Sequence, residues 1–291
     1  MASDFETQAR AANDKINART GRPLLRAIGV GLVLGGSLLV SLLIIKELYM
    51  VFAGALVAFV AYELASALRS AGRDVPRIPT IVAAVAVVPA TFYWLDEGHW
   101  WVTLGGIVVI SIWRLVELAL PSGRASAKNV LLDIGAAAFI MVYVAFMAGF
   151  TVLLTAQDGG QWWTLAFLIV VVAVDTGAYA SGLAFGKHLM APTISPKKTW
   201  EGFAGSVAAA LIAGILLAIF MLQQPWWVGV ILALAMVLTA TSGDLAESLI
   251  KRDLGIKDIS SFLPGHGGFL DRLDSALLSG AVAYALFLIF T

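Results

Sequence analysis

Runs of about twenty consecutive apolar residues recur along this 291-residue sequence, and a run of that length can cross a bilayer as an α-helix. Hydrophobic residues make up 60% of the chain and charged residues 13%, whereas soluble domains are about 45–50% apolar and about 25% charged. A soluble core of this size cannot bury such an excess. Because lipid offers no partners for backbone polar groups, the sequence predicts an all-α, polytopic integral membrane protein.

The apolar runs are separated by proline, glycine and charged residues, which allows their ends to be placed to within a few residues. The pattern predicts about nine transmembrane helices. Their approximate bounds are Leu24–Ile45, Leu48–Leu68, Ile78–Leu95, Trp100–Leu120, Val130–Leu154, Trp162–Phe185, Phe203–Leu222, Trp226–Ile250 and Phe269–Phe290.

The distribution of lysine and arginine predicts the orientation of these spans. With a cytoplasmic N-terminus, most of the 19 basic residues fall on the inner side. Tryptophan pairs beginning at Trp100, Trp162 and Trp226 then each open a span that is entered from the outer side, as an interfacial aromatic belt would. The two signals are independent, so we expect Thr291 to lie outside. The Ala/Gly/Val-rich composition suits the plasma (inner) membrane of a bacterium.

Net charge and cysteine usage exclude several function classes. The formal net charge is zero, so the overall charge balance does not indicate binding to nucleic acid. The chain has no cysteine, which excludes disulfides, iron–sulfur clusters and thiolate zinc sites. Any metal must therefore be held by oxygen atoms or by the three histidines His99, His188 and His266.

Carboxylates within predicted spans are costly and usually face a partner or a polar cavity. Glu117 follows Arg114 by three residues, which predicts a local ion pair on one helix face. Glu63 and Asp133 lie near inner helix ends, where they could simply reach the interface, and we assign them no role. Glu247 also falls within a span.

Asp175 and Asp244 lie in the inner halves of their spans, and glycine, alanine and serine surround them. Small residues permit close helix packing, which is one interpretation of both stretches. That interpretation leaves the two acids without a partner. An ion site, as in a transporter, fits the same residues.

A cluster of cations occurs in the stretch Ser195-Pro-Lys-Lys-Thr-Trp-Glu-Gly202. Ser195 followed by proline predicts an N-cap and a first helical position. Lys197 and Lys198 would then occupy the first helical turn, where the dipole disfavours each cation by about 0.3–1 kcal/mol. A bound anion would remove that conflict. The positive-inside rule explains the lysines equally well.

The stretch from Ser248 to Asp274 combines phosphate-binding and metal-binding residue types. Basic residues are followed by Pro-Gly-His-Gly-Gly, whose backbone N–H groups can approach phosphate. Asp271 and Asp274 are three residues apart and so share a helix face. Cations, a glycine-rich loop and a carboxylate pair are the components of magnesium-assisted phosphoryl or nucleotidyl transfer.

This stretch closely resembles the signature of the phosphatidate cytidylyltransferases (CDP-diacylglycerol synthases). The elements Ser195–Gly202 and Asp175-Thr-Gly-Ala-Tyr are similar to other recurring stretches of that family, in the same order. The resemblance covers about residues 170–290, and the first five spans carry little that is specific. It implies the reaction of CTP with phosphatidate to CDP-diacylglycerol and pyrophosphate, with Mg²⁺ as cofactor and Mn²⁺ as its substitute.

The resemblance also implies roles for individual residues. The implied catalytic residues are Asp244, Asp271, Lys251 and Arg272. The implied substrate-binding residues are Ser195, Lys197, Lys198, Glu201, Lys251, Arg252, Lys257, Asp258, His266, Gly267 and Gly268. The implied metal ligands are Asp244 and Asp271, with Asp175 and Asp274 as helpers.

The predicted organisation has three parts. Residues 1–22 form a polar cytoplasmic tail, residues 23–165 form the N-terminal membrane helices (spans 1–5), and residues 166–291 form the catalytic membrane region (spans 6–9 and their cytoplasmic loops). The expected partners are CTP, phosphatidate and membrane lipid, with no nucleic acid, and a homodimer is one option. The site is expected to face the cytoplasm.

Two alternatives compete with this prediction. A CTP-using lipid kinase would share the nucleotide site but transfer the γ-phosphate, and the complete C-terminal signature argues against it. A transporter or structural membrane protein would explain Asp175 and Asp244. It would not explain the basic loop that ends in His-Gly-Gly and two aspartates.

Overall fold

The long apolar runs form helices in the computed structural model, which describes residues 24–119, 126–260, 262 and 267–291. The predicted tail over residues 1–22 lies outside this range. The helices are α1 (Leu24–Leu43), α2 (Lys46–Ser70), α3 (Arg77–Ala119), α4 (Ala127–Ile140), a π-helix (Met141–Phe146), α5 (Met147–Ala156), α6 (Gly160–Phe185), α7 (Trp200–Phe220), α8 (Trp226–Asp253) and α9 (Leu270–Phe290).

Seven helices among the described residues are long and apolar enough to cross a membrane. They are α2, α3, the continuous helix formed by α4, the π-helix and α5, and then α6, α7, α8 and α9. The prediction of an all-α, polytopic membrane protein is therefore confirmed. The apolar part of α1 is shorter, at Gly31–Leu43.

Helix α3 consists of two antiparallel arms. Its 43 residues would extend about 65 Å at 1.5 Å per residue, twice the thickness of a bilayer core. The chain bends at Leu95, whose φ is 52°. A Cβ built on Gly106 of the second arm would lie 3.2 Å from Cβ of Ala83 on the first arm. The two arms match the predicted spans Ile78–Leu95 and Trp100–Leu120. The total of nine spans stays a prediction.

A small β-hairpin precedes α7 and corrects one prediction. Strands β1 (Leu189–Ala191) and β2 (Ser195–Thr199) pair antiparallel. Ser195 is therefore not an N-cap, and Lys197 and Lys198 lie on a strand rather than in a first helical turn. The cap is Thr199, whose hydroxyl accepts a hydrogen bond from the backbone N of Gly202 at 3.1 Å. This start leaves an acidic residue, Glu201, in the first turn, where the helix dipole favours it.

The buried apolar residues form two clusters that meet at α9. The first joins α2 to α5 and includes Leu270 and Leu277. The second joins α6 to α9 and includes Ala283 and Phe287. Helix α9 therefore packs against both halves of the molecule. The division at residues 165 and 166 itself stays a prediction.

Candidate active site

A polar cavity of about 480 Å³ lies between α6, α7, α8, α9 and the β-hairpin. It brings together most of the residues that the sequence nominated from separate stretches. Those that line it are Asp175, Ser195, Lys197, Lys198, Asp244, Lys251, Asp258, Asp271, Arg272 and Asp274.

Glycines allow the helices around this cavity to approach one another closely. A Cβ built on Gly177 of α6 would lie 2.7 Å from the carbonyl oxygen of Gly205 on α7. On α8, a Cβ built on Gly243 would lie 2.4 Å from the carbonyl oxygen of Asp274 on α9. The small residues therefore do permit close helix packing, as expected. That packing also carries Asp244, next to Gly243, against the acidic turn of α9.

Three carboxylates form a cluster in the cavity wall. Oxygen atoms of Asp244, Glu247 and Asp274 all lie within 4.8 Å of one another. Glu247 and Asp274 are only 1% and 7% exposed. Within the described part of the chain, Oε1 of Glu247 is buried and accepts no hydrogen bond. Like charges this close repel unless a cation or a proton lies among them.

The donor set of this cluster fits a hard divalent cation. Magnesium prefers oxygen ligands and is usually held by one or two carboxylates together with substrate phosphates. Three converging carboxylates and an unsatisfied buried oxygen provide those donors. Glu247 was not predicted as a ligand. Its spacing was nevertheless informative, because it follows Asp244 by three residues on the same helix.

Two lysines border the acidic cluster. Nζ of Lys198 lies 2.6 Å from Oδ2 of Asp244. Nζ of Lys251 lies 2.5 Å from Glu247 and 2.9 Å from Asp271. The other oxygen of Asp271 accepts a hydrogen bond from the backbone N of Gly268 at 2.8 Å. Asp271 is thus hydrogen-bonded to Lys251 and to the loop before α9. The third carboxylate of the acidic cluster is Glu247.

Glu63 of α2 has an unexpected role at the start of α9. Its carboxylate accepts hydrogen bonds from the backbone N atoms of Phe269 and Leu270, both at 3.0 Å, and from the hydroxyl of Ser260. The side chain is 1% exposed, so the interpretation that it reaches the interface is wrong. A carboxylate at a helix N-terminus satisfies free N–H groups and suits the dipole. No local sequence signal links it to α9.

Asp133 and Glu117 are bound to the same arginine. Asp133 is 3% exposed and accepts hydrogen bonds from Arg114 at 2.8 Å and from the backbone N of Asp74 at 2.9 Å. It therefore does not reach the interface, contrary to expectation. The predicted ion pair between Arg114 and Glu117 is confirmed at 2.8 Å.

The remaining nominated residues that the structure describes are not among those that line the cavity. Glu201 binds His188 Nδ1 at 2.5 Å and the backbone N of Lys187 at 3.1 Å, so it fastens the β-hairpin to α7. Arg252 donates to the carbonyl of Ile194 at 3.4 Å. The others in this group are Lys257, Gly267 and Gly268.

The loop before α9 is only partly described. Gly267 has a φ of 85°, a left-handed conformation that favours glycine. His266 lies outside the described residues, so its predicted role in the nucleotide loop stays a prediction.

Comparison with known proteins extends the resemblance to almost the whole chain. The model of the Cytidylyltransferase family matches residues 25–290. A phosphatidate cytidylyltransferase of Mycobacterium bovis is 40% identical over 272 residues, which cover 92% of this chain and 89% of the relative. One of Mycobacterium leprae is 38% identical over 291 residues (96% and 92%). One of Staphylococcus epidermidis is 33% identical over 202 residues (68% and 75%). The first five spans are thus part of the matched region.

Proposed function

This chain belongs to the cytidylyltransferase family, and we propose that the cavity between α6 and α9 is its active site. The reaction is that of CTP with phosphatidate to CDP-diacylglycerol and pyrophosphate, a step of phospholipid biosynthesis. The observation that carries the assignment of the site is the acidic cluster of Asp244, Glu247 and Asp274, with Lys198 and Lys251 at its border.

No protein nucleophile is required for this reaction. A phosphate oxygen of the lipid attacks the α-phosphorus of CTP, and the bond from that phosphorus to the bridging oxygen breaks as pyrophosphate leaves. The side chains have to hold two polyanions in line and offset the charge that grows on the leaving group. Lys197, Lys198, Lys251 and Arg272 all line the cavity and supply positive charge for this purpose.

The acidic cluster would hold Mg²⁺, or Mn²⁺ in its place, through Asp244, Glu247 and Asp274. When bound, such an ion neutralises negative charge on the triphosphate. Asp175 lines the same cavity and stays a predicted helper. Asp271, predicted as a ligand, orients Lys251 in the present arrangement through their 2.9 Å hydrogen bond. Whether Asp271 binds the metal or orients Lys251, its carboxylate is expected to be necessary for activity.

One assay tests the activity and the metal together. Purified protein is incubated with labelled CTP and phosphatidate, and the products are separated. We expect CDP-diacylglycerol and pyrophosphate, loss of product in EDTA, and recovery with magnesium or manganese. Phosphorylated lipid plus CDP would instead indicate a kinase, and no product would favour a transporter or structural protein. Full activity in EDTA would contradict the metal assignment.

We also propose that the protein lies in the plasma membrane with this cavity facing the cytoplasm, where CTP is available. The positive-inside pattern supports this orientation. A reporter fused after Thr291 should behave as extracytoplasmic, and one inserted near residues 122–126 as cytoplasmic. A cytoplasmic C-terminus would contradict the nine-span arrangement. A homodimer stays a prediction, to be tested by light scattering in detergent.

A further inference from the structure

A second cavity, of about 330 Å³, lies beside the active site and is almost entirely apolar. Five helices contribute to its wall: α1, α2, the continuous helix through α5, α6 and α9. Representative lining residues are Leu38, Phe52, Val60, Val144, Val172 and Leu277. Tyr49, Val57 and Val60 in this wall are themselves buried. The space is thus a recess within the helix bundle rather than an outward-facing surface of a single helix.

Arg272 lines both the polar and the apolar cavity. Helix α9 separates the two spaces, because its side chains divide between them. Asp271, Asp274 and Ser275 line the polar cavity, while Leu273 and Leu277 line the apolar one. The guanidinium of Arg272 therefore lies on an amphipathic turn, at the boundary between the polar cavity and the apolar one.

We propose that the apolar cavity holds an acyl chain of phosphatidate while the lipid phosphate is bound at Arg272 in the polar cavity. The proposal rests on the proposed function, which requires a substrate with an anionic head and long apolar tails. A guanidinium matches a phosphate in charge and in hydrogen-bonding geometry. An acyl chain attached to that phosphate has to leave the polar cavity within a short distance, and this recess begins at the same arginine.

The recess is expected to select lipids by fit rather than to bind them tightly. A lipid that enters it leaves a bilayer that is as apolar as the recess, so there is little hydrophobic gain. What the recess can provide is a fixed position for the chain, which places the phosphate for attack. The consequence is a dependence of kcat/KM on acyl-chain length.

Filling the recess tests this proposal. Ala53 of α2 and Ala148 of α5 both line it and are not part of the catalytic site. The variants Ala53→Leu, Ala148→Leu and their combination are assayed with dioctanoyl and dipalmitoyl phosphatidate at equal mole fraction in mixed micelles. We expect kcat/KM for the long-chain lipid to fall about tenfold or more, since one methylene of misfit in an apolar pocket can change kcat/KM by this factor. The kcat/KM for the dioctanoyl lipid and the KM for CTP should change little.

Ala86→Leu is the matched control, since Ala86 lines a different apolar groove, between the two arms of α3. This variant should leave the ratio of the kcat/KM values for the two lipids unchanged. The proposal is overturned if the recess variants lower kcat/KM equally for both lipids, or if they change kcat/KM for neither lipid while thermal melting shows that they remain folded. It is also overturned if Ala86→Leu changes the selectivity between the two lipids in the same way. A wild-type protein that makes no CDP-lipid from either substrate would refute the proposed function instead, so the two failures are distinguishable.

Discussion

The two halves of this protein both place carboxylates inside membrane helices, but they treat them differently. In the half formed by α2 to α5, Arg114 lies 3.0 Å from Asp74, 2.8 Å from Glu117 and 2.8 Å from Asp133. These three acids surround one cation. In the half formed by α6 to α9, Asp244, Glu247 and Asp274 converge on one another instead, with lysines only at the border.

This difference is the one expected between a structural network and a ligand site. A buried charge is tolerated when it has a partner, and the network around Arg114 contains its own partners. The converging acids of the other half are only partly compensated by the two lysines at their border, and the remaining like charge has to be offset by a further cation or by protons. Clustering of like charge, more than the presence of acids as such, is therefore the reason for proposing the active site in the half formed by α6 to α9.

The largest expected effect is that of removing a charge from the acidic cluster. Asp244→Asn should lower turnover by about 10²–10³, the typical cost of one lost transition-state interaction. Asp271→Asn should be similarly impaired because it releases Lys251. Turnover is measured by CDP-lipid formation, with insertion and purification yield as the control. Near-normal activity in Asp244→Asn would show that Asp244, like the acids around Arg114, has only a structural role.

Lys198→Ala is expected to have the next largest effect. Its ammonium contacts Asp244 at 2.6 Å and lines the cavity. A hydrogen bond to a charged group contributes about 1.5–3 kcal/mol, so kcat/KM for CTP should fall about 10–100-fold. Because Lys197 and Lys198 lie on β2, replacing both with alanine relieves no helix-dipole conflict, and the Lys197→Ala/Lys198→Ala double variant should not become more stable. Unchanged CTP kinetics together with a higher melting temperature would favour the helical-turn interpretation after all.

Glu63→Gln tests whether the first half positions the second. An amide has one oxygen and cannot accept from Ser260, Phe269 and Leu270 as the carboxylate does. Losing one such bond costs about 1.5 kcal/mol, and we expect kcat to fall about tenfold with little change in the KM for CTP. Glu63→Asp, which keeps both oxygens, should recover part of the loss.

Asp133→Asn is the matched control for that experiment, since it also neutralises a buried carboxylate of the first half. It should lower the melting temperature, because a charged hydrogen bond to Arg114 worth about 1.5–3 kcal/mol is weakened, and leave kcat unchanged. If both variants change only stability, Glu63 has a structural role alone.

The smallest effect is expected for Glu117→Gln. The side chain is 40% exposed, and an i,i+3 pair contributes about 0.2–0.5 kcal/mol. The melting temperature should shift only slightly and CDP-lipid formation should be unaffected. A large loss of activity would show that the network around Arg114 is coupled to the catalytic half.

Properties that depend only on residues close together in the sequence could be predicted from the sequence alone. The membrane helices follow from apolar runs, since transfer into lipid acts on each segment separately. The pairing of Arg114 with Glu117 follows from helical spacing. The candidate site residues could be nominated because they belong to local stretches of sequence, and most of the nominated residues line the cavity. Even the close approach at Gly243 was predictable from the small residues around Asp244.

Other features were decided only by the tertiary structure. Ser195 and Thr199 are both acceptable N-caps, and the pairing of β2 with β1 selects Thr199. Glu63 meets Leu270 across 207 positions of sequence, and Glu247 joins Asp274 from another helix. Helix packing selects such partners, and the hydropathy of a segment carries no information about which helix lies beside it. For the same reason the apolar recess beside Arg272, which five helices enclose, is a property of the assembled bundle.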